Sequence, residues 1–394
     1  MSAVASQIAQ SLDLYNLGRM VTRKTVALLA SLPESLINFR GPLIELLRAR
    51  GHRVIACAPH APRQVLESLA TWDVPFHPVD LQRNKIAVVR DLRYTWRIRV
   101  WLRRAKPDIL LAYTPKPVIY GLIAGRLSRV PKRCALITGL GYAFTGQSLK
   151  KRLLAEIMAR LYRIALKDCT CAIFQNPDDL ELFRRRRILP PGLRTVVVNG
   201  SGVDLLRFVP RQMPEGPVFL LIARLLKDKG IREYVEAARV VKATYAEARF
   251  QLAGWHDTNP EAIDRTDLDR WVAEGVVEYL GPLEDVRSAL AAARIYVLPS
   301  YREGTPRTVL EAMATGRPVI TTDAPGCRDA VQHGVNGLLV PVGNVPQLAA
   351  AMIQMIRHPE LAEAFGRAGL RIARERYDAR IVSEAMADAM EFDG

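Results

Sequence analysis

Residues 295–318 read IYVLPSYREGTPRTVLEAMATGRP, and the order of features within them decides the fold. Ile295 to Leu298 form a short apolar run of the kind buried on both faces of a sheet. A polar loop follows. Thr305 suits an N-cap, Pro306 suits the first helical position, and Gly316 with Pro318 ends the helix. A buried strand leading through a loop into a helix is the repeating unit of a parallel sheet.

The same unit recurs along the whole chain. In the first half the apolar runs are Val26–Ala30, Val54–Ala58, Ile109–Tyr113, Ala135–Ile137, Ala172–Phe174 and Val196–Val198. In the second half they are Val218–Ala223, Phe250–Ala253, Val276–Leu280, Ile295–Leu298, Val319–Thr321 and Leu338–Val340. Stretches of helical length separate them, so the expected fold class is α/β, with two doubly wound Rossmann-like domains facing across a cleft. The Gly- and Pro-rich segment Asn199–Pro217 marks the break. The expected division is a leader of unknown role at 1–20, a first domain at 21–205, a second at 206–378 and a closing helix at 379–394.

Composition agrees with two ordinary cores: 394 residues, 49% of them hydrophobic and 24% charged. Disordered, collagenous and coiled-coil classes are excluded. No run approaches the roughly 18 apolar residues that cross a bilayer. Val26 to Leu32 follow Arg23 and Lys24, but a first buried strand fits this run better than a signal core, which points to the cytoplasm. The five cysteines are odd in number and lie mostly in apolar runs, and Cys169-Thr170-Cys171 lacks metal or redox spacing, so free thiols are expected. Charge divides unevenly. Residues 1–200 hold 33 Lys and Arg against 13 Asp and Glu, whereas residues 201–394 hold 23 against 27. Only the first half is suited to a polyanion or an anionic membrane.

The residues with chemistry cluster where a ligand of such a fold belongs, at strand C-terminal edges. The helix after Thr305 offers free N–H groups and a positive dipole end to a phosphate. Glu303, in the loop, is placed to accept hydrogen bonds from sugar hydroxyls, and Glu311, further into the helix, to take a ribose diol. An ordinary capped helix with one exposed and one partly buried Glu is the plainer reading. Arg224 and Lys229 follow another strand into the same cleft, and two cations so close suit a diphosphate that gains charge as it leaves.

Arg224…Lys229-Gly230 with Glu303-x7-Glu311 resembles the signature of retaining GT-B glycosyltransferases of family 4, and the resemblance covers nearly the whole chain. Residues 298–308, 321–330 and 336–341, with 113–117 and 138–146, resemble one branch of that family, which adds a sugar, often N-acetylgalactosamine from UDP, to undecaprenyl-diphosphate-linked acceptors. The resemblance implies that Glu303, Lys229 and Arg224 carry the reaction, with Arg224 and Lys229 on the donor diphosphate, Glu303 on the sugar and Glu311 on the ribose. It further implies contacts from the Gly304–Thr308 backbone, including Thr305 and Arg307, and a turn at Leu280–Leu283 lying against the uracil. No metal or other cofactor is implied. Asp267-Leu268-Asp269 fits an Asp-x-Asp pattern, but lies in a polar helix-like stretch.

In the first half, Tyr113-Thr114 stands where relatives carry His-Thr or His-Ser. His60 is an alternative by position alone, and a surface His is its blander reading. Arg40, Lys116, Thr114 and Tyr142 are the candidates for the acceptor, Arg40 and Lys116 for its phosphates. The loop Gly139–Gly146 is suited to covering it. Arg90–Lys106 carries seven cations with Tyr94, Trp96 and Trp101, and Lys150–Lys167 pairs Leu153, Leu154, Ile157, Leu161 and Ile164 with cations. Each reads either as a core-packing helix or as one lying in an anionic membrane interface. The partners expected are therefore a UDP-sugar, a polyprenyl-diphosphate-linked acceptor and the inner face of the cytoplasmic membrane. Two other classes remain open: a UDP-sugar epimerase or a phosphorylase of the same fold, and a basic nucleic-acid-binding protein. No nucleic-acid motif supports the last.

Overall fold

The computed structural model describes residues 22–82, 87–140, 149–256 and 261–390. Two parallel sheets organise them. The first contains β1 (Thr25–Leu29), β2 (Arg53–Ala58), β3 (Phe76–Pro78), β4 (Ile109–Tyr113), β5 (Lys132–Ile137), β6 (Cys171–Phe174) and β7 (Arg194–Val197). The second contains β8 (Val218–Ile222), β9 (Arg249–Ala253), β10 (Glu278–Gly281), β11 (Ile295–Leu298), β12 (Val319–Thr322) and β13 (Gly337–Val340). All twelve strands expected from the sequence are present, and the two-domain Rossmann-like class holds. The thirteenth, β3, carries no apolar pattern. It is a three-residue edge strand ending in Pro78, which a sheet edge tolerates because no ladder donor is needed there.

The strand orders are β3-β2-β1-β4-β5-β6-β7 and β10-β9-β8-β11-β12-β13. Each order reverses once, between β1 and β4 in the first sheet and between β8 and β11 in the second. The loops that diverge at such a reversal leave a crevice outside the strand C-termini, where open α/β sheets bind ligands. The Arg224–Lys229 loop leaves β8 and the Glu303 loop leaves β11, so both flank that crevice. Apolar clusters cover both faces of each sheet.

The chain crosses between domains twice. Val203 N–H donates to Tyr377 O (2.7 Å) and Ala379 N–H to Val203 O (3.0 Å), so the two crossings lie side by side. After the second crossing, helix Ala379–Ala389 packs on helix Gly41–Ala49, adding Val382, Met386 and Met390 to the core of the first domain. The expected continuation of this helix to 394, the leader, Tyr142 and most of the Gly139–Gly146 loop lie outside the described residues.

Helices Val88–Ala105 and Leu149–Leu166 lie on one face of the first sheet, flanking the turn Pro117–Gly121 and helix Leu122–Leu127. Each turns an apolar stripe to the core, Tyr94, Ile98, Trp101 and Leu102 in one and Ala155, Ala159, Tyr162 and Ala165 in the other. Their outer faces are not purely charged. Val88, Val89, Leu92 and Trp96 stay exposed, as do Leu153, Ile157 and Ile164, among Arg90, Arg93, Arg97, Arg152 and Arg160. Four cysteines are buried, Cys169 is half-buried, and all five are free thiols. Among the described residues no helix is long and apolar enough to cross a membrane.

Candidate active site

The second domain's crevice is built by close backbone approach. After β8 the chain makes a short 3-10 turn, Lys227–Lys229, closed by Gly230 at φ +70°. A Cβ on Gly230 would lie 2.1 Å from Pro299 O, so only glycine lets this turn rest on the segment after β11. Tyr301 N–H and Ser300 Oγ both donate to Asp228 O, tying the two loops together. The result is a hydrogen-bonded ion pair of Lys229 Nζ with Glu303 Oε1 at 2.6 Å, both side chains mostly buried. Asp228 lies beside it, its carboxyl held above the ordinary range chiefly by burial, against the pull of Lys229. Arg224 is half-buried near Asp228.

The helix after the Glu303 loop starts one residue later than the sequence suggested. Pro306 is the N-cap, Arg307 is the first helical residue, and the helix ends at Ala314. Thr305 therefore does not cap it. Its hydroxyl instead donates to Gln175 O at 2.8 Å, in the first domain. Glu311 is only 6% exposed and pairs with Arg307 Nε at 2.8 Å. Burial raises its pKa and Arg307 opposes the shift. Thr308 Oγ1 accepts from Tyr296 O–H (2.6 Å). Leu280 and Leu283, half-buried around the turn at Gly281, complete this side.

The first domain meets this site directly. Arg307 stacks over the ring of Phe39, which follows β1, with 5.1 Å to the centroid. Arg40, expected to reach phosphates, is fully buried instead. It donates to Phe39 O (2.8 Å) and to Ser201 Oγ (3.0 Å), and lies 4.9 Å over the Tyr113 ring. Its pKa falls to about 10, mainly through burial. Tyr113 shares a hydrogen bond with Ser35 Oγ (2.9 Å), and Thr114, at φ +70°, donates to Ser31 Oγ (2.8 Å). Lys116 is ion-paired with the buried Asp91 at 2.6 Å, and Tyr120 O–H donates to the same carboxylate at 3.1 Å. His60 is a surface residue near Asp80, as its blander reading had it. Asp267 lies on helix Arg265–Ala273 in ion pairs with Arg232 and Arg270.

Several groups at the site carried no sequence signal for this role. Asn176 Nδ2 donates to Gly304 O at 2.7 Å across the domain junction. Asp179 is fully buried and ion-paired with Arg302, which neighbours Glu303. Burial raises the Asp179 pKa and Arg302 lowers it. Asn176-Pro177 does announce a helix start, and Asn176 caps it through Asp179 N–H (2.7 Å). Nothing in that pattern tells that the cap also reaches the second domain.

Two doubly wound parallel sheets joined at their strand C-terminal loops, with cations and carboxylates at the switch point of the second, give the GT-B architecture. Residues 40–200 match the family described as glycosyl transferase 4-like domain, and residues 216–358 match glycosyl transferases group 1, so the chain belongs to these glycosyltransferase families. A Campylobacter jejuni relative, N,N'-diacetylbacillosaminyl-diphospho-undecaprenol alpha-1,3-N-acetylgalactosaminyltransferase, is 27% identical over 89% of this chain and 94% of its own. The Escherichia coli UDP-Gal:alpha-D-GlcNAc-diphosphoundecaprenol alpha-1,3-galactosyltransferase is 27% identical over 70% of this chain and 73% of its own. HepE from Anabaena, solved with UDP and glucose, shares the fold at a TM-score of 0.74 and 18% identity, over 94% of this chain and 100% of its own.

Proposed function

We propose that the protein is a retaining, UDP-sugar-dependent hexosyltransferase that moves a sugar, N-acetylgalactosamine in the first instance, onto an undecaprenyl-diphosphate-linked glycan in cell-surface polysaccharide or glycoprotein glycan assembly. The 2.6 Å contact between Lys229 and Glu303 carries this reading. It supports the reading because a cation suited to a leaving diphosphate lies against a carboxylate suited to a transferred sugar, so one ammonium can serve both. The anomeric carbon–oxygen bond breaks with its electron pair going to the diphosphate, where Lys229, Arg224 and the N-terminus of helix Arg307–Ala314 meet the growing charge. The acceptor hydroxyl attacks on the face the nucleotide leaves, and its proton passes to the departing phosphate oxygen. Positive charge at the diphosphate then comes from these residues, and the reaction runs without a metal cofactor. Glu311 holds the ribose, and the turn at Leu280–Leu283 lies against the uracil.

The acceptor binds at the first domain. There a recess of about 640 Å³ at the strand C-terminal edge is lined by His60, Asp80, Arg90, Asp91, Arg93 and Arg97. Its cations suit the lipid diphosphate, with Lys116 behind them on Asp91, and the exposed apolar residues of the neighbouring helices rest on an anionic membrane surface. Support for the lipid acceptor comes from the printed activities of the C. jejuni and E. coli relatives.

The test is a donor screen. A panel of UDP-sugars is incubated with and without a polyprenyl-diphosphate-sugar acceptor, and UDP release is followed for the protein, Glu303→Ala and Lys229→Ala. Acceptor-dependent release with one donor, lost in both variants and giving a retained anomer by NMR, is expected. Release without acceptor favours an epimerase or hydrolase, and an inverted product sinks the mechanism.

A further inference from the structure

The segment Arg302–Thr305 belongs to the second domain, yet the first domain holds each of its residues. Arg302 pairs with the fully buried Asp179. Asn176 Nδ2, itself 0% exposed, donates to Gly304 O at 2.7 Å, with Glu303 O at 3.4 Å and Asp179 Oδ2 at 3.1 Å. Thr305 Oγ1 donates to Gln175 O at 2.8 Å. There is no slack in the fit. A Cβ on Gly304 would stand 2.4 Å from Thr138 O and 2.9 Å from Gln175 Oε1. From the other side, Glu303 N–H donates to Pro325 O at 3.0 Å.

We infer that Asn176 and Asp179 are positioning residues for the donor sugar: they clamp the Arg302–Thr305 backbone across the junction and thereby aim Glu303. The inference rests on the UDP-sugar reading above. The contacts fall on the main-chain carbonyls of Glu303 and Gly304, which fix the peptide plane from which the Glu303 side chain departs. The side chain itself is held from the second domain by Lys229. Glu303 is thus set from both domains at once. A domain contact serving cohesion alone has no need of these atoms. Asp178 provides the contrast, because its pair with Arg328 (3.7 Å) also crosses the junction but touches none of residues 302–305. Misplacing a reacting group by about 1 Å costs about 100-fold in rate, so losing the clamp should act on the sugar step. Uridine and diphosphate are bound by Arg224, Glu311 and Lys229, which stay in place.

The experiment compares the wild type with Asn176→Ala, Asp179→Asn and Asp178→Ala. Binding of UDP and of UDP-N-acetylgalactosamine is measured by isothermal titration, kcat is normalised to UDP-binding sites, and Tm is recorded. Expected for Asn176→Ala and Asp179→Asn is a UDP affinity within threefold of wild type. The extra affinity given by the sugar is lost, and kcat falls by about 30- to 100-fold. Asp178→Ala stays within twofold throughout. If Asn176→Ala does not fold, Thr305→Val removes only the bond to Gln175 O and should show the same split at smaller size. Wild-type kcat per UDP site with a lowered Tm overturns the inference and leaves the donor reading standing. A wild type that binds neither nucleotide overturns both.

Discussion

Replacing Lys229 by Met removes one charge while keeping the length of the side chain. Lys229 is 13% exposed and its partner Glu303 17%, so the site is drier than a surface but not sealed. An effective dielectric of about 20 suits such a position, and a unit charge about 4 Å from another is then worth about 4 kcal/mol. The donor diphosphate is already anionic when bound, so only the charge it gains as the sugar leaves counts toward kcat. With about half to all of that charge developed at the transition state, the differential is about 2 to 4 kcal/mol, or roughly 30- to 1000-fold in kcat. The assay is steady-state UDP release with the donor and acceptor identified by the screen, with Tm measured alongside. Because the pair is in contact, Lys229→Met and Glu303→Gln should be less than additive when combined. A donor KM that rises while kcat stays at the wild-type value would refute the leaving-group role, since the lysine would then bind ground and transition states alike.

Four further outcomes follow from the structure. Burial raises the pKa of Glu311, so the KM for the UDP-sugar should climb on acidification before an ordinary carboxylate near 4.3 would protonate, and Glu311→Gln should flatten that profile. The same raised pKa makes ionised Glu311 a cost to folding that disappears on acidification, so the wild type should gain Tm relative to Glu311→Gln as pH falls. Leu92→Glu with Trp96→Glu should cut sedimentation with anionic vesicles several-fold while leaving turnover of a short-chain soluble acceptor unchanged, and equal sedimentation would dismiss the membrane face. Met386→Ala, at a position 1% exposed, should cost about 2 to 5 kcal/mol, read as a lowered urea midpoint. Hydrogen exchange should place the loss in the first domain, on helix Gly41–Ala49.

Where the sequence was legible, the physics was local. Buried parallel strands need apolar runs such as Ile109–Tyr113 or Val218–Ala223, and those stand out whatever surrounds them. Arg224, Lys229, Glu303 and Glu311 could be set around one crevice from the sequence because each follows the C-terminal end of such a strand. Thr305 shows the limit. Its hydroxyl fits a cap by every local criterion, but a carbonyl in the other domain takes it, and Pro306 becomes the cap. Asn176 shows the reverse case: its capping role is written in Asn-Pro-Asp-Asp, while its bond to Gly304, 128 residues away, is written nowhere. Lys116 reads as an available cation until the fold folds Asp91 beneath it. Contacts between loops of different domains depend on how two finished sheets are set, and one segment's pattern does not encode that.

The return of helix Ala379–Ala389 to the first domain also orders events in time. During synthesis, helix Gly41–Ala49 leaves the ribosome early, but the side that Val382, Met386 and Met390 cover stays bare until residues 50–390 have followed. At about 5 to 20 residues per second that wait is on the order of 20 to 70 s. For that interval the nascent first domain presents an apolar strip with no partner of its own, the kind of surface a chaperone holds. A premature stop before Ala379 would therefore damage the domain that was made first, even though every residue missing was to be made last.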